Sequence, residues 1–579
     1  MKTNINDKRR RQQGYALVMV MVIGTVGLLI LAASINWTSS NANLTARNNQ
    51  YFASLSAAEA ATEKVISEIS VDFQQGSAMV ASKLATYRSR IPTQSESGYW
   101  GKYTFGNGQG GVDATAVTQV VPWTPNVPLI GRYQGLTGYR AIYNIASSAK
   151  ESSAPYDITA GVGQELWIEE IPLFQFAIFY NLDLEINPGP DMTISGKVHS
   201  NGHIYLQPQA SLVFNGDVSA VKDINYLTKM PGDPVDRALG TITPGPNAKL
   251  SVGAVSLNLP LGTDNTPDTV RQIVEPPPVG ELATSALGKE RFYNKADLVI
   301  IVTDAGVTAQ SGALAPVSAV ATLNWTTGSG GIKDFVKTNV SFYNKREGKT
   351  VQTTEIDVAQ LKAWNSSGNI LKTALGRDVN SIYIDDRRSQ SGSTQAGVRL
   401  VNGETLPTRG LTVATPDPLY VQGDYNAPSS SRGTSDTSGT KPAALIGDSI
   451  NVLSRSWNDS DSGSGIGNRK AGDTTVNAAF LAGIVPTGNG SYSGGVENFP
   501  RFLEDWNGIE FTYNGSMIVM FPSKTAQAPW GGSDVYVPPT RRWNFDTAFL
   551  DPNRLPPGTP CAHTVTRGNY QILVPIPNT

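Results

Sequence analysis

The chain has 579 residues, a formal net charge of -2, 57 glycines, 36 prolines and a single cysteine. Only 16% of residues are charged, and no basic face is implied beyond the first residues, which argues against a nucleic-acid partner. Cys561 has no second cysteine to pair with, so packing must hold the fold, and the Gly- and Pro-rich composition suits a β-rich extracytoplasmic protein of about two to four domains.

The first element is a basic leader, residues 1–14, in which Lys2, Lys8, Arg9, Arg10 and Arg11 stand against Asp7. No charged residue follows until Arg47, and Tyr15 to Ile35 is strongly apolar. That stretch of about 21 residues would span roughly 32 Å as a helix, enough to cross a hydrocarbon core. The arginines favour a cytoplasmic leader and an outward body. A cleaved secretory signal would have a shorter apolar region ending at a small-x-small site. Here the run continues into Phe52, Leu55, Ala58, Ala61, Thr62, Val65, Ile66 and Ile69 at helical spacing. A plain signal anchor and a leader cut after Gly14 both remain open.

The sequence Gly14-Tyr15-Ala16-Leu17-Val18, with Ala57-Ala58-Glu59-Ala60-Ala61 further on, resembles the N-terminal region of PilX-type minor pilins. The resemblance covers about residues 8–70. It implies cleavage by a prepilin peptidase between Gly14 and Tyr15, an inner-membrane anchor, and an assembly helix (15–72, with Met19 and Glu59) that docks with other pilins. The body would be periplasmic, or extracellular on a pilus or secretion pseudopilus. Pilins mostly carry Glu at the fifth mature position, where this chain has Met19. In the family that carboxylate meets a neighbour's N-terminal amine, so by this resemblance Met19 points to a tip or priming position, with sequence drift as the alternative. A surface adhesin or glycan-acting protein that uses the signal for export is the alternative.

The spacing then predicts a short helix over 77–90 and strands near 101–105, 139–147, 157–170 and 174–181. In the second of these Tyr139, Ala141, Tyr143 and Ile145 share a face. Residues 73–185 thus read as a pilin-like sheet region packed on the helix. From 186 to 224 and from 406 to 579, short strands broken by Asn-Gly, Gly-Asp or Pro suggest a parallel β-helix of irregular period, with a β-sandwich as the alternative. Residues 225–405 read as an α+β insertion, with a strand at 297–302, a hairpin joining 340–343 to 350–353, a helix capped by Asp357, and a strand at 381–384. Phe499, Phe502, Leu503 and Trp506 fit a short core-capping helix, and the tail 538–557 is expected to wrap the end of the body. The segments 198–202 and 495–503 resemble large bacterial proteins with the same anchor, a likeness that implies no activity.

No catalytic residue and no bound cofactor is expected. His199 and His203 flank an Asn-Gly turn and read as surface imidazoles, with a metal as the weaker alternative. Asp459 and Asp461 resemble half of a calcium loop, but Lys470 stands where the bidentate Glu belongs. Asp385-Asp386-Arg387-Arg388, with Asp304, is the best carboxylate cluster and reads as a solvated, self-paired turn. Cys561 and His563 read as inert.

Overall fold

The computed structural model describes residues 10–229, 239–317, 322–488, 492, 494–530 and 532–574. Residues 1–9 of the leader lie outside them, and for 10–14 only the helical backbone is described.

One helix, Arg10–Phe73, runs for 64 residues. It is exposed from Tyr15 to Asn49, and from Gln50 onward it presents Ser54, Ala57, Ala58, Ala61, Thr62, Val65, Ile66, Ile69 and Phe73 as a buried stripe. Phe52, expected on that stripe, is 61% exposed because its register points it away from the sheet. The alanines are small where the sheet comes close, and Thr62 Oγ1 meets Ser147 Oγ at 2.8 Å across the contact.

The facing sheet is antiparallel. Its path runs Tyr103–Gly106, Thr137–Glu151, Thr159–Pro172, Cys561–Leu573, and Ala116–Pro128 also pairs with Thr137–Glu151. Ala141, Tyr143 and Ile145 are buried against the helix, while Asn144 on the other face is exposed, as the alternation requires. The expected 73–185 unit is therefore incomplete by itself. Its last strand comes from the end of the chain, which a 406–579 body does not allow for.

The body begins with three parallel layers spaced by twenty residues. Ile178 pairs with Val198 and Val198 with Val218; Leu184 pairs with Ile204 and Ile204 with Ile224; Met192 pairs with Leu212. Inward Val, Ile and Leu side chains stack on their equivalents above and below, so each layer is buried by its neighbours. Strand Val218–Ala220 next pairs with Leu250–Ser251, and residues 252–297 carry the chain to the far end of the same sheet. From there Leu298–Thr303, Ser381–Asp386, Leu411–Ala414, Ala443–Gly447, Thr474–Ile484 and Glu510–Pro522 pair in parallel succession. The row closes where Met517 pairs with Ile178, giving a 13-stranded sheet. A second row, Lys349–Asp357, Thr394–Val401, Leu419–Gln422, Ile450–Leu453 and Pro500–Phe502, is parallel too.

Four expectations change. Residues 225–405 are not an insertion between early and late layers: Leu298–Thr303 and Ser381–Asp386 are members of the same row and share its core. Parallel pairing also departs from the antiparallel β-sandwich alternative. Pro500, which lacks an N–H, starts a strand where a helix through 499–506 was expected, although Phe499, Phe502, Leu503 and Trp506 are all buried. The tail does not cover an end: Thr540–Phe545 pairs with Glu510–Pro522 in the middle of the row. The hairpin, Val336–Asn344 with Lys349–Asp357, is present, as is the helix Val358–Ser366 with the Asp357 carboxylate accepting from Gln360 N–H at 3.0 Å.

Candidate functional site

The largest unpartnered feature among the described residues is the first half of the helix. Its most apolar window has a mean hydropathy of 2.7 and no buried residue, so it is long and apolar enough to cross a membrane. Tyr15 is 83% and Met19 66% exposed. The hydroxyls of Thr25, Thr38 and Thr45 each donate to the carbonyl four residues back, at 2.7, 2.8 and 2.9 Å, so these polar groups are satisfied within the helix in an apolar medium. Near the body the helix is clamped by the final strand. Tyr570 Oη donates to Glu59 at 2.7 Å and Arg567 pairs with Glu63 at 2.7 Å. His563 Nδ1 lies 2.9 Å from the Phe73 carbonyl, and its ring stacks on Phe73 at 4.3 Å. Glu59 thus faces this chain's own last strand. Burial and the nearby Glu170 and Glu290 push the Cys561 thiol well above its ordinary value, so it is no thiolate nucleophile.

The two histidines do not converge. His199 is 4% exposed, not a surface imidazole, because strand Val198–Ser200 lies inside the stack. Both its nitrogens are engaged, Nδ1 with Ser219 Oγ at 2.8 Å and Nε2 with Asn201 Oδ1 at 3.1 Å. Burial pushes its pKa down to about 4. His203 sits at the next turn, 3.4 Å from Asp223.

The Asp385–Arg388 run is not a solvated turn either, for both carboxylates end a buried strand. Asp386 is 8% exposed, is held by Arg388 at 2.5 Å, and accepts from Thr354 Oγ1 at 2.8 Å. Asp385 pairs with Arg387 at 2.5 Å, while Asp304 accepts from Ser389 Oγ at 2.6 Å. Asp459 is taken by Arg399 at 2.6 Å and by the Trp457 indole N–H at 2.8 Å; Asp461 accepts from Asn458 at 2.9 Å. Lys470 pairs with Asp505. Among the described residues no group of three or more His, Cys, Asp or Glu is arranged for a metal ion.

Sequence reasoning missed the corner acids. Asp417 lies near Asp385, Asp386 and Asp448, and burial with these negative neighbours pushes its pKa well above the usual carboxylate range. Asp448 accepts from the backbone N–H groups of Lys524, Thr525 and Ala526 at 2.6, 3.0 and 2.8 Å and pairs with Arg271 at 2.8 Å. It ties two layers and a crossing segment together. Two clefts were also missed. One, of about 730 Å³, lies where the early layers meet the late ones, between Asp191–Thr193 and Thr540–Asn544; it includes Glu497, whose burial raises its pKa to about 7. The other, of about 510 Å³, contains His199 and Ser219.

No protein-family model matches the chain, and no curated protein matches it. Among solved structures the chain is similar to the competence-associated pilin ComZ from Thermus thermophilus, with a TM-score of 0.25 and 10% identity over 90% of this chain and 97% of that one. A likeness of that size carries no argument about fold or function.

Proposed function

We propose that this chain is a pilin-like structural subunit, anchored in the inner membrane by the apolar half of its helix and assembled by docking that helix against other pilins. One observation carries the reading: a single helix exposes its apolar first half and buries its second half in an antiparallel sheet. An apolar helix surface of this length needs lipid or other apolar helices around it. The leader would be cut after Gly14 by a prepilin peptidase, leaving Tyr15 as N-terminus. The parallel layers are then a β-helix displayed outside the membrane.

Met19 supports placement at a filament end or in a priming complex. A carboxylate there would need a cation in apolar surroundings, and Met19 removes both the need and the pairing. N-terminal sequencing of the protein from native membranes tests the processing step. A start at Tyr15 is expected, and a start at Met1 or near Ala32 contradicts it. Gold-labelled antibody against residues 411–520 should mark one filament end, and regular decoration of the shaft would contradict the terminal placement.

A further inference from the structure

Strands Val198–Ser200 and Val218–Ala220 are parallel neighbours, with His199 opposite Ser219. Ser219 Oγ lies 2.8 Å from His199 Nδ1 and 3.3 Å from the Val198 carbonyl, and the surroundings favour the imidazole as its acceptor. Asn201 Nδ2 donates to Asn181 Oδ1 at 2.8 Å and to the Leu257 carbonyl at 3.0 Å, while its Oδ1 accepts from Leu257 N–H at 3.0 Å. The amide oxygen therefore faces the imidazole, 3.1 Å from Nε2, so Nε2 carries the proton and Nδ1 is the acceptor turned toward the Ser219 hydroxyl. The ring is held in plane by Phe179, stacked at 5.5 Å, and by Phe176 at 5.9 Å. Ser219 is half-buried and opens on the cleft of about 510 Å³, whose walls include Tyr133, Leu136 and Val255 and whose polar side carries Lys249 and Lys197, the latter paired with Asp217 at 3.0 Å.

We propose that Ser219, His199 and Asn201 act as nucleophile, general base and orienting residue in the cleavage of a carboxylic ester whose acyl group lies in this cleft. Ser219 Oγ attacks the ester carbonyl carbon as its proton passes to His199 Nδ1. The tetrahedral oxyanion meets the positive charge of Lys249. The C–O bond to the alcohol breaks, and the proton on Nδ1 goes to the departing oxygen. Water, its proton taken by the same nitrogen, then attacks the acyl carbon; the C–Oγ bond breaks as that proton passes to Ser219 Oγ, and the acid is released. The buried imidazole, with its pKa lowered to about 4, is neutral across the whole neutral range, so Nδ1 is free to take the Ser219 proton, as a weaker base than an ordinary imidazole. The activity is independent of the anchoring helix.

The test is to treat the purified full chain with a biotinylated fluorophosphonate and map the adduct by peptide mass spectrometry. Labelling at Ser219, absent in Ser219→Ala, is expected. His199→Phe keeps the ring stack begun by Phe179 but removes the base, and it should slow labelling about a hundredfold. With a wild-type chain shown to be folded by circular dichroism, no adduct at Ser219 after prolonged millimolar exposure overturns the proposal. So does an undiminished rate in His199→Phe. Either result makes the three residues a purely structural ladder.

Discussion

Replacing Asp386 by Ala would leave the Arg388 guanidinium, itself largely buried, without its carboxylate partner. Breaking a buried pair in this way costs about 3–5 kcal/mol, and a lowered denaturation midpoint should report it. Asp304→Ala, at an exposed carboxylate whose partner is Ser389, should leave the midpoint nearly unchanged. Equal effects at the two sites would contradict the buried-pair account. His199 makes a pH prediction with a definite sign. Its folded pKa of about 4 lies below the ordinary value of 6.5, so the unfolded chain binds the extra proton between those limits. Stability from this group is present above about pH 6.5 and is lost as pH falls toward 4, by up to about 3 kcal/mol. The difference between native and His199→Phe unfolding curves, measured from pH 7 to pH 4, should show that slope, and a flat difference would contradict it. These two sites were misjudged from sequence for one reason. His-Ser-Asn-Gly and Asp-Asp-Arg-Arg look like turn chemistry, while their burial comes from neighbouring layers remote in sequence.

At the scale of elements, the helix was legible and its face nearly so. Spacing located Ala58, Ala61, Val65 and Ile69 on the buried stripe but misplaced Phe52, because one bulky residue outweighs register in a local pattern. Ala61→Leu should overpack the contact with the sheet and cost about 1–3 kcal/mol, whereas Phe52→Ala should be close to neutral; thermal unfolding compares them. A repeat was present and overlooked. Asn181–Ser200 and Asn201–Ala220 align at a spacing that places Leu184 on Ile204 and Met192 on Leu212. Hydrogen bonds repeat it, from His203 N–H to Asp183 at 2.9 Å and from Ser211 N–H to Asp191 at 2.9 Å. Later layers carry loops of unequal length, which hides the period in a scan of the whole chain.

For the whole molecule, the least legible fact is the return of Cys561–Leu573 to the first sheet, beside Thr159–Pro172. Nothing local in that strand names a partner so distant in sequence. Its pairing means that the sheet under the long helix is complete only when the entire body has been made. A chain ending at residue 557 should keep protease-resistant layers but expose residues 50–172 to limited proteolysis. Full protection of that region would show that the last strand is dispensable. The central claim is that the exposed apolar half of the helix sits among the helices of other pilins. Its most direct test is a photo-crosslinking amino acid placed at Met19 in the full-length chain in native cells. The account predicts adducts whose mapped peptides come from the N-terminal apolar segment of another pilin. Crosslinks to phospholipid alone under conditions where filaments form would contradict it.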